Sequence, residues 1–154
     1  MLLTPHTIVG ITVAASVQNP LVAAPLAFGL HFAGDVLPHW DFYTNTTKEQ
    51  KISGWRPLAV MLDFGMAIAI GLTAVLYALW VLGDSYLAFN IFLCGIASVL
   101  PDALTGPSIY MKNAPRFFKI MHEFQRKINN SANMFYGVLT QLAVVLICFF
   151  LLAR

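Results

Sequence analysis

The chain has 154 residues, of which 58% are hydrophobic and only 10% are charged. Soluble domains carry roughly a quarter charged residues, so this chain has too few charges to cover a water-facing surface. The composition excludes an ordinary soluble domain, and the net charge of +2 gives no reason to expect a nucleic-acid partner. We expect residues 1–154 to form a single membrane domain in contact with membrane lipids.

Apolar runs separated by turn and proline signals predict an all-α integral membrane bundle of about five membrane helices. Asn19-Pro20 and Gly83-Asp84-Ser85 are turn signals, and Pro38 and Pro101 are expected to end the helices before them. The predicted membrane helices cover residues 4–18, 20–37, 57–82, 86–100 and 131–153. The first of these is short for a full span, so the sequence leaves open whether it crosses the membrane or re-enters it.

Residues 114–129 differ from these segments because apolar and charged side chains separate at helical spacing. The apolar side comprises Phe117, Ile120, Met121, Phe124 and Ile128. The polar side comprises Arg116, Lys119, Glu123, Arg126 and Lys127. This pattern predicts one amphipathic helix that lies in the membrane interface.

Positive charge is concentrated at one face of the predicted bundle. The other face has only Arg154. The remaining eight of the nine basic residues lie at this face: Lys48, Lys51, Arg56, Lys112, Arg116, Lys119, Arg126 and Lys127. Because basic loops stay in the cytoplasm, we predict an inner-membrane protein with its N-terminus inside and its C-terminus outside.

The same face holds all four histidines and every acidic residue except Asp84. His31 and Asp63 are expected to share a layer just inside the apolar zone, where an ionisable side chain costs about 3 kcal/mol unless it is paired or bound. His31, Asp35 and His39 follow one another at intervals of four residues, so their side chains point in one direction. Imidazole and carboxylate ligands suit zinc, or manganese or iron if more carboxylates join.

The segment His31-Phe-Ala-Gly-Asp35-Val-Leu-Pro38-His39 resembles the metal-binding motif of zinc-dependent phospholipases C and related zinc nucleases. That motif has a His, then Gly-Asp, then Pro-x-His. The resemblance implies that His31, Asp35 and His39 bind metal. This chain has two fewer residues between Asp35 and His39, and Asp41 is an alternative ligand.

The chain as a whole resembles the small inner-membrane proteins of the membrane-bound metal-dependent hydrolase family, LexA-regulated type. The similarity lies in an early Thr-x-His, here Thr4-Pro5-His6, and in a Leu-x-Pro-Asp at a helix end, here Val99-Leu100-Pro101-Asp102. The resemblance implies a membrane-embedded hydrolase and adds His6 and Asp102 to the candidate ligands.

The leading hypothesis is a metal-dependent hydrolase that acts on a lipid phosphoester at the cytoplasmic face. The candidate metal ligands are His6, His31, Asp35, His39, Asp63 and Asp102, with zinc as the expected ion. The candidate catalytic carboxylates are Asp35, Asp63 and Asp41, because a carboxylate that is not a ligand accepts the proton of water. His122 is a further candidate metal ligand. The alternative interpretation is that it is a solvated interfacial histidine.

Two other functions use the same residues. A metal carrier or sensor would bind the ion without a reaction, although the outer half of the predicted bundle holds almost no ligand. A non-catalytic scaffold would use the polar cluster to hold helices together, and it predicts that chelators have no effect. Asn90 and Gln141, inside predicted spans, are expected to bond to neighbouring helices.

Overall fold

The computed structural model describes residues 1–154 and confirms an all-helical chain without strands. Its helices are α1 (Leu3–Ser16), α2 (Pro20–Val36), α3 (Lys48–Ile52), α4 (Arg56–Leu76), α5 (Ser85–Tyr110), α6 (Arg116–Ile128) and α7 (Met134–Leu152). A single π-helical turn, Tyr77–Val81, continues α4.

Three helices are long and apolar enough to cross a membrane. They are α4 with its π-helical turn, α5 and α7, and α2 is apolar but shorter. Their outward side chains are large and hydrophobic: Trp80 is 74% exposed and Phe135 is also 74% exposed. Such a surface suits contact with lipid rather than with water.

The most buried helix is α1, which lies between α2, α4, α5 and α7. Nine of its 14 residues are buried. It packs so closely on α5 that a Cβ at Gly10 would lie 2.7 Å from the carbonyl oxygen of Cys94. At its C-terminal end, the Asn90 amide donates to the carbonyl groups of Ala14 at 2.9 Å and Val17 at 2.8 Å. These bonds satisfy carbonyl groups that have no helical partner, and they confirm the bonding role predicted for Asn90.

Two features of the fold differ from the sequence-based expectation. The predicted end of a helix at Leu100 is wrong, because α5 continues past Pro101 to Tyr110. Pro101 is fully buried, and packing of its ring inside the bundle offsets the hydrogen bond that proline cannot donate. Residues 39–56 lie between two predicted membrane helices and have no predicted helix of their own, but they contain the short helix α3, which begins at a capping box formed by Thr47 and Gln50.

The loop after α2 is tied to the linker between α6 and α7. The His39 N–H donates to Asn130 at 3.0 Å, and the Ala132 N–H donates to the His39 carbonyl at 2.7 Å. Gln141 joins the same region to α1, because its amide donates to the Trp40 carbonyl at 2.8 Å and its oxygen accepts from the Leu2 N–H at 2.9 Å. Gln141 is predicted to bond to neighbouring helices: one of its partners is the N-cap residue of α1, and the other lies in the loop. These contacts fix the loop beside the beginning of α1.

Candidate metal centre

Four polar side chains from three helices meet at the end of the bundle where α1 begins and α2 ends. His6 comes from α1, His31 and Asp35 from α2, and Asp102 from α5. The two imidazole rings are stacked with their centroids 3.9 Å apart, and both histidines are only 1% exposed. Residues this polar are buried only when other groups stabilise them, so their partners decide what the cluster can do.

Asp35 joins the two histidines. Its Oδ1 lies 3.3 Å from Nε2 of His6, and its Oδ2 lies 3.2 Å from Nε2 of His31. The amino group of Met1 also contacts Oδ1, at 2.5 Å. The i,i+4 spacing on α2 brings His31 and Asp35 to one side of the helix, and the burial of α1 brings His6 to the same carboxylate.

The orientation of His31 is set by α5. Its Nδ1 lies 2.7 Å from the Ser98 carbonyl oxygen, which only accepts, so Nδ1 carries a proton. In a neutral imidazole, Nε2 then carries a lone pair and no proton. That nitrogen faces Oδ2 of Asp35 and also Oδ1 of Asp102, at 3.6 Å. The lone pair of Nε2 and the two carboxylates therefore face one another, an arrangement that a shared metal ion or a shared proton would stabilise.

The donor set fits a transition metal. The ligand atoms of His6, His31 and Asp102 all lie within 4.8 Å of one another. Histidine nitrogens and carboxylate oxygens are zinc ligands, and a ligating histidine typically donates its other ring N–H to a carbonyl or carboxylate. His31 has that arrangement through Ser98. Gln125 adds a buried Oε1 that has no hydrogen-bond partner.

A cavity of about 550 Å³ opens beside the cluster. Asp35, Asp102 and Gln125 form part of its wall, and Lys51 and Arg126 bring positive charge to it. Its volume is within the usual range for small-molecule sites. The cavity therefore places cationic side chains and the acidic cluster around one space.

His122 also lines this cavity, on α6. Burial, followed by the positive charges of Lys51 and Arg126, lowers the pKa of His122. The cavity wall therefore gains a neutral imidazole rather than a third cation near neutral pH.

Asp63 lines the same cavity but has a different set of partners. Its carboxylate accepts hydrogen bonds from the N–H of Leu3 at 2.6 Å, the N–H of Thr4 at 3.2 Å and the hydroxyl of Thr4 at 2.7 Å. These bonds satisfy the first N–H groups of buried α1, where a negative charge is also favoured by the helix dipole. The structure thus gives Asp63 a capping contact and does not bring it into the histidine cluster.

His39 and Asp41 form a separate pair. The Nδ1–H of His39 donates to the Leu37 carbonyl at 2.9 Å, while its buried Nε2 has no hydrogen-bond partner and lies 3.9 Å from Asp41. Asp41 caps a turn by accepting from the Tyr43 N–H at 2.7 Å, and it lines the cavity. Of the predicted site residues, the structure therefore joins His6, His31, Asp35 and Asp102, and leaves His39, Asp41, Asp63 and His122 outside that cluster.

Sequence reasoning missed Gln125. Its amide nitrogen lies 3.0 Å from Nε2 of His31 and donates to Oδ1 of Asp102 at 2.9 Å. A signal was present, because Gln125 lies four residues after Met121 and three before Ile128, on the side of α6 that is turned toward the protein. A polar residue among those inward positions indicates a polar partner inside the bundle.

No protein-family model, curated protein or solved structure matches this chain. We therefore infer the function of the cluster from its geometry and from the short motifs that it contains.

Proposed function

We propose that the protein is a membrane-embedded, metal-dependent hydrolase that acts on a phosphoester of a lipid at the cytoplasmic face of the inner membrane. One observation supports this most directly. Asp35 and Asp102 form part of the wall of a cavity that also presents Lys51 and Arg126, and the buried imidazoles of His6 and His31 lie directly behind these carboxylates. Nitrogen and oxygen ligands beside cationic side chains suit an ion that acts on an anionic phosphoryl group.

In this proposal, His6, His31 and Asp102 hold a zinc ion, which when bound would lower the pKa of water and polarise the phosphoryl oxygen. Asp35 lies beside both imidazoles and would accept a proton from the attacking water. Asp41, at the cavity wall, is the alternative acceptor. Lys51 and Arg126 hold the anionic headgroup.

The membrane arrangement is part of the proposal. About five helices enter the membrane, and α6 lies in the interface. Phe117, Ile120 and Phe124 on α6 are each about half exposed and would face the lipid, while the basic side chains would contact headgroups. Gln125 then joins the interfacial helix to the metal cluster.

The experiment is a hydrolysis assay on protein purified in mild detergent without chelator. The substrates are short-chain phosphatidate, phosphatidylglycerol and phosphatidylcholine, and the variants are Asp102→Asn and Asp84→Asn. We expect the wild type and D84N to hydrolyse at least one substrate, and D102N to lose about 100-fold or more, as for a lost ligand or its supporting group. Equal activity in D102N and D84N would overturn the proposal.

A second candidate is a non-catalytic scaffold, and one observation favours it. Asp35 and Asp102 both have hydrogen-bond partners within the protein, so a proton on His31 is enough to balance the cluster. This function predicts normal folding of Asp35→Asn and no effect of chelators on stability.

A further inference from the structure

A second cavity, of about 150 Å³, lies between α1, α4 and α5. Its walls carry no charged side chain, and Thr7 supplies the only hydroxyl. Most of the lining comes from α4 between Phe64 and Val75, and from α5 between Ile91 and Val99. At 1.5 Å per residue, this second cavity forms a groove that extends about 12 to 16 Å along the two helices. It runs away from the candidate metal centre into the apolar part of the bundle.

The groove and the larger cavity are adjacent. Phe64 and Val99 line both of them, so the polar space beside Asp102 borders the apolar space between α4 and α5. A molecule that filled both spaces would have an anionic end near Lys51 and Arg126 and an apolar end along two membrane-crossing helices. That shape belongs to an amphiphile with a phosphate headgroup and an acyl chain.

We infer that the groove between α4 and α5 binds one acyl chain of the lipid whose anionic headgroup occupies the larger cavity. The inference deepens the proposed function, on which the position of the headgroup rests. It identifies the substrate class as a long-chain anionic glycerophospholipid rather than a free phosphate ester. The position of the chain is measurable without turnover.

Two glycines leave the groove open. A Cβ added at Gly95 would have no atom within 4 Å, and a Cβ added at Gly71 would first meet Cγ2 of Thr7 at 3.5 Å. Larger side chains at these positions would fill the groove without striking the backbone. Gly65 on α4 is equally unobstructed but lines neither cavity, so it provides a matched control.

The test uses the full chain in dioleoyl phosphatidylcholine vesicles that contain a small share of phosphatidate with a photoactivatable group in mid-chain. A metal chelator prevents turnover, and crosslinked residues are mapped by mass spectrometry. In the wild type we expect labelling to concentrate on groove residues of α4 and α5. In Gly95→Leu and Gly71→Val we expect about tenfold less labelling, because about two methylene groups lose their binding surface. Gly65→Leu should label as the wild type does.

Even labelling of groove and outward-facing residues in the wild type would overturn the inference, as would undiminished labelling in both folded groove variants. Two variants from opposite walls are used so that poor folding of one leaves the other as the test. Competition by unlabelled dioleoyl phosphatidate, and none by inorganic phosphate, would support the lipid as the source of the headgroup. If the groove is labelled but the protein binds no metal, the hydrolase proposal is refuted and the lipid-binding site remains supported.

Discussion

His31 contacts every other member of the candidate metal centre. Ser98 fixes its Nδ1–H, His6 stacks on its ring, and its Nε2 faces Asp35 and Asp102. This geometry accommodates either a metal ion or a shared proton between Nε2 and the two carboxylates. A metal-binding measurement distinguishes the two, and it therefore tests the function proposed for the cluster.

Gln125 is a positioning residue, because its amide on α6 donates to Oδ1 of Asp102 on α5. Replacing Gln125 with Leu should weaken zinc affinity about 10- to 100-fold, as loss of a group that orients a ligand does. Competition with a chromogenic zinc chelator measures the affinity. An unchanged affinity in a folded variant would remove Gln125 from the site.

His122 should titrate below the ordinary histidine value of 6.5, since burial and the nearby charges of Lys51 and Arg126 lower its pKa. The neutral form favours the folded state, so its stabilising contribution is complete above the unfolded pKa and is lost as pH falls through the folded pKa. NMR of histidine-labelled protein in micelles measures the midpoint. Lys51→Met should raise it, and a wild-type midpoint at or above 6.5 would contradict the proposed environment.

At the scale of elements, α1 is surrounded by four helices, and both of its ends form hydrogen bonds with side chains of other helices. Asp63 bonds to its first N–H groups, Asn90 to its last carbonyls, and Gly10 allows it to approach α5. Because α1 carries His6 and α5 carries Ser98 and Asp102, this close packing also determines the dimensions of the candidate metal centre.

Gly10→Ala should therefore destabilise the protein by about 1–3 kcal/mol, because the added methyl group would overlap the Cys94 carbonyl and the Ser98 side chain. Thermal unfolding in detergent measures the change. The control is Gly29→Ala, whose new Cβ meets no atom within 4 Å and should have little effect. Equal unfolding temperatures for the two variants would contradict the packing described for α1.

The sequence predicts the helices better than it predicts which side chains meet at the candidate metal centre. The apolar runs locate α2 and α4 within one residue of their observed starts, and the i,i+4 spacing pairs His31 with Asp35. The continuation of α5 past Pro101 depends on burial of that ring, which is a tertiary effect that local propensity does not contain. The same limit applies to Gln125, since only the docking of α6 brings its amide to α5.

In the whole molecule, the candidate metal centre and the larger cavity lie at the same end of the bundle. Three helices are long and apolar enough to cross a membrane. The distribution of basic residues leads us to propose that this end faces the cytoplasm. The loop between α4 and α5 would then lie on the opposite side.

Cysteine labelling tests this orientation, and Cys94 and Cys148 are buried, so they give little background. With a membrane-impermeant maleimide on intact bacterial cells, Ser85→Cys should react, and Glu49→Cys should react only after permeabilisation. Both positions are exposed in the structure. Reaction of both on intact cells, or of Glu49→Cys alone, would contradict the proposed topology.

The most direct test of the metal-centre proposal is elemental analysis of protein purified in mild detergent without chelator. Wild type, Asp35→Ala and the control Asp84→Ala, at the other end of α5, should be compared after folding is verified. The proposal predicts near-stoichiometric zinc or another transition metal in the wild type and in D84A, and its loss in D35A. Three folded proteins without metal would contradict it and identify the cluster as a protonated structural network.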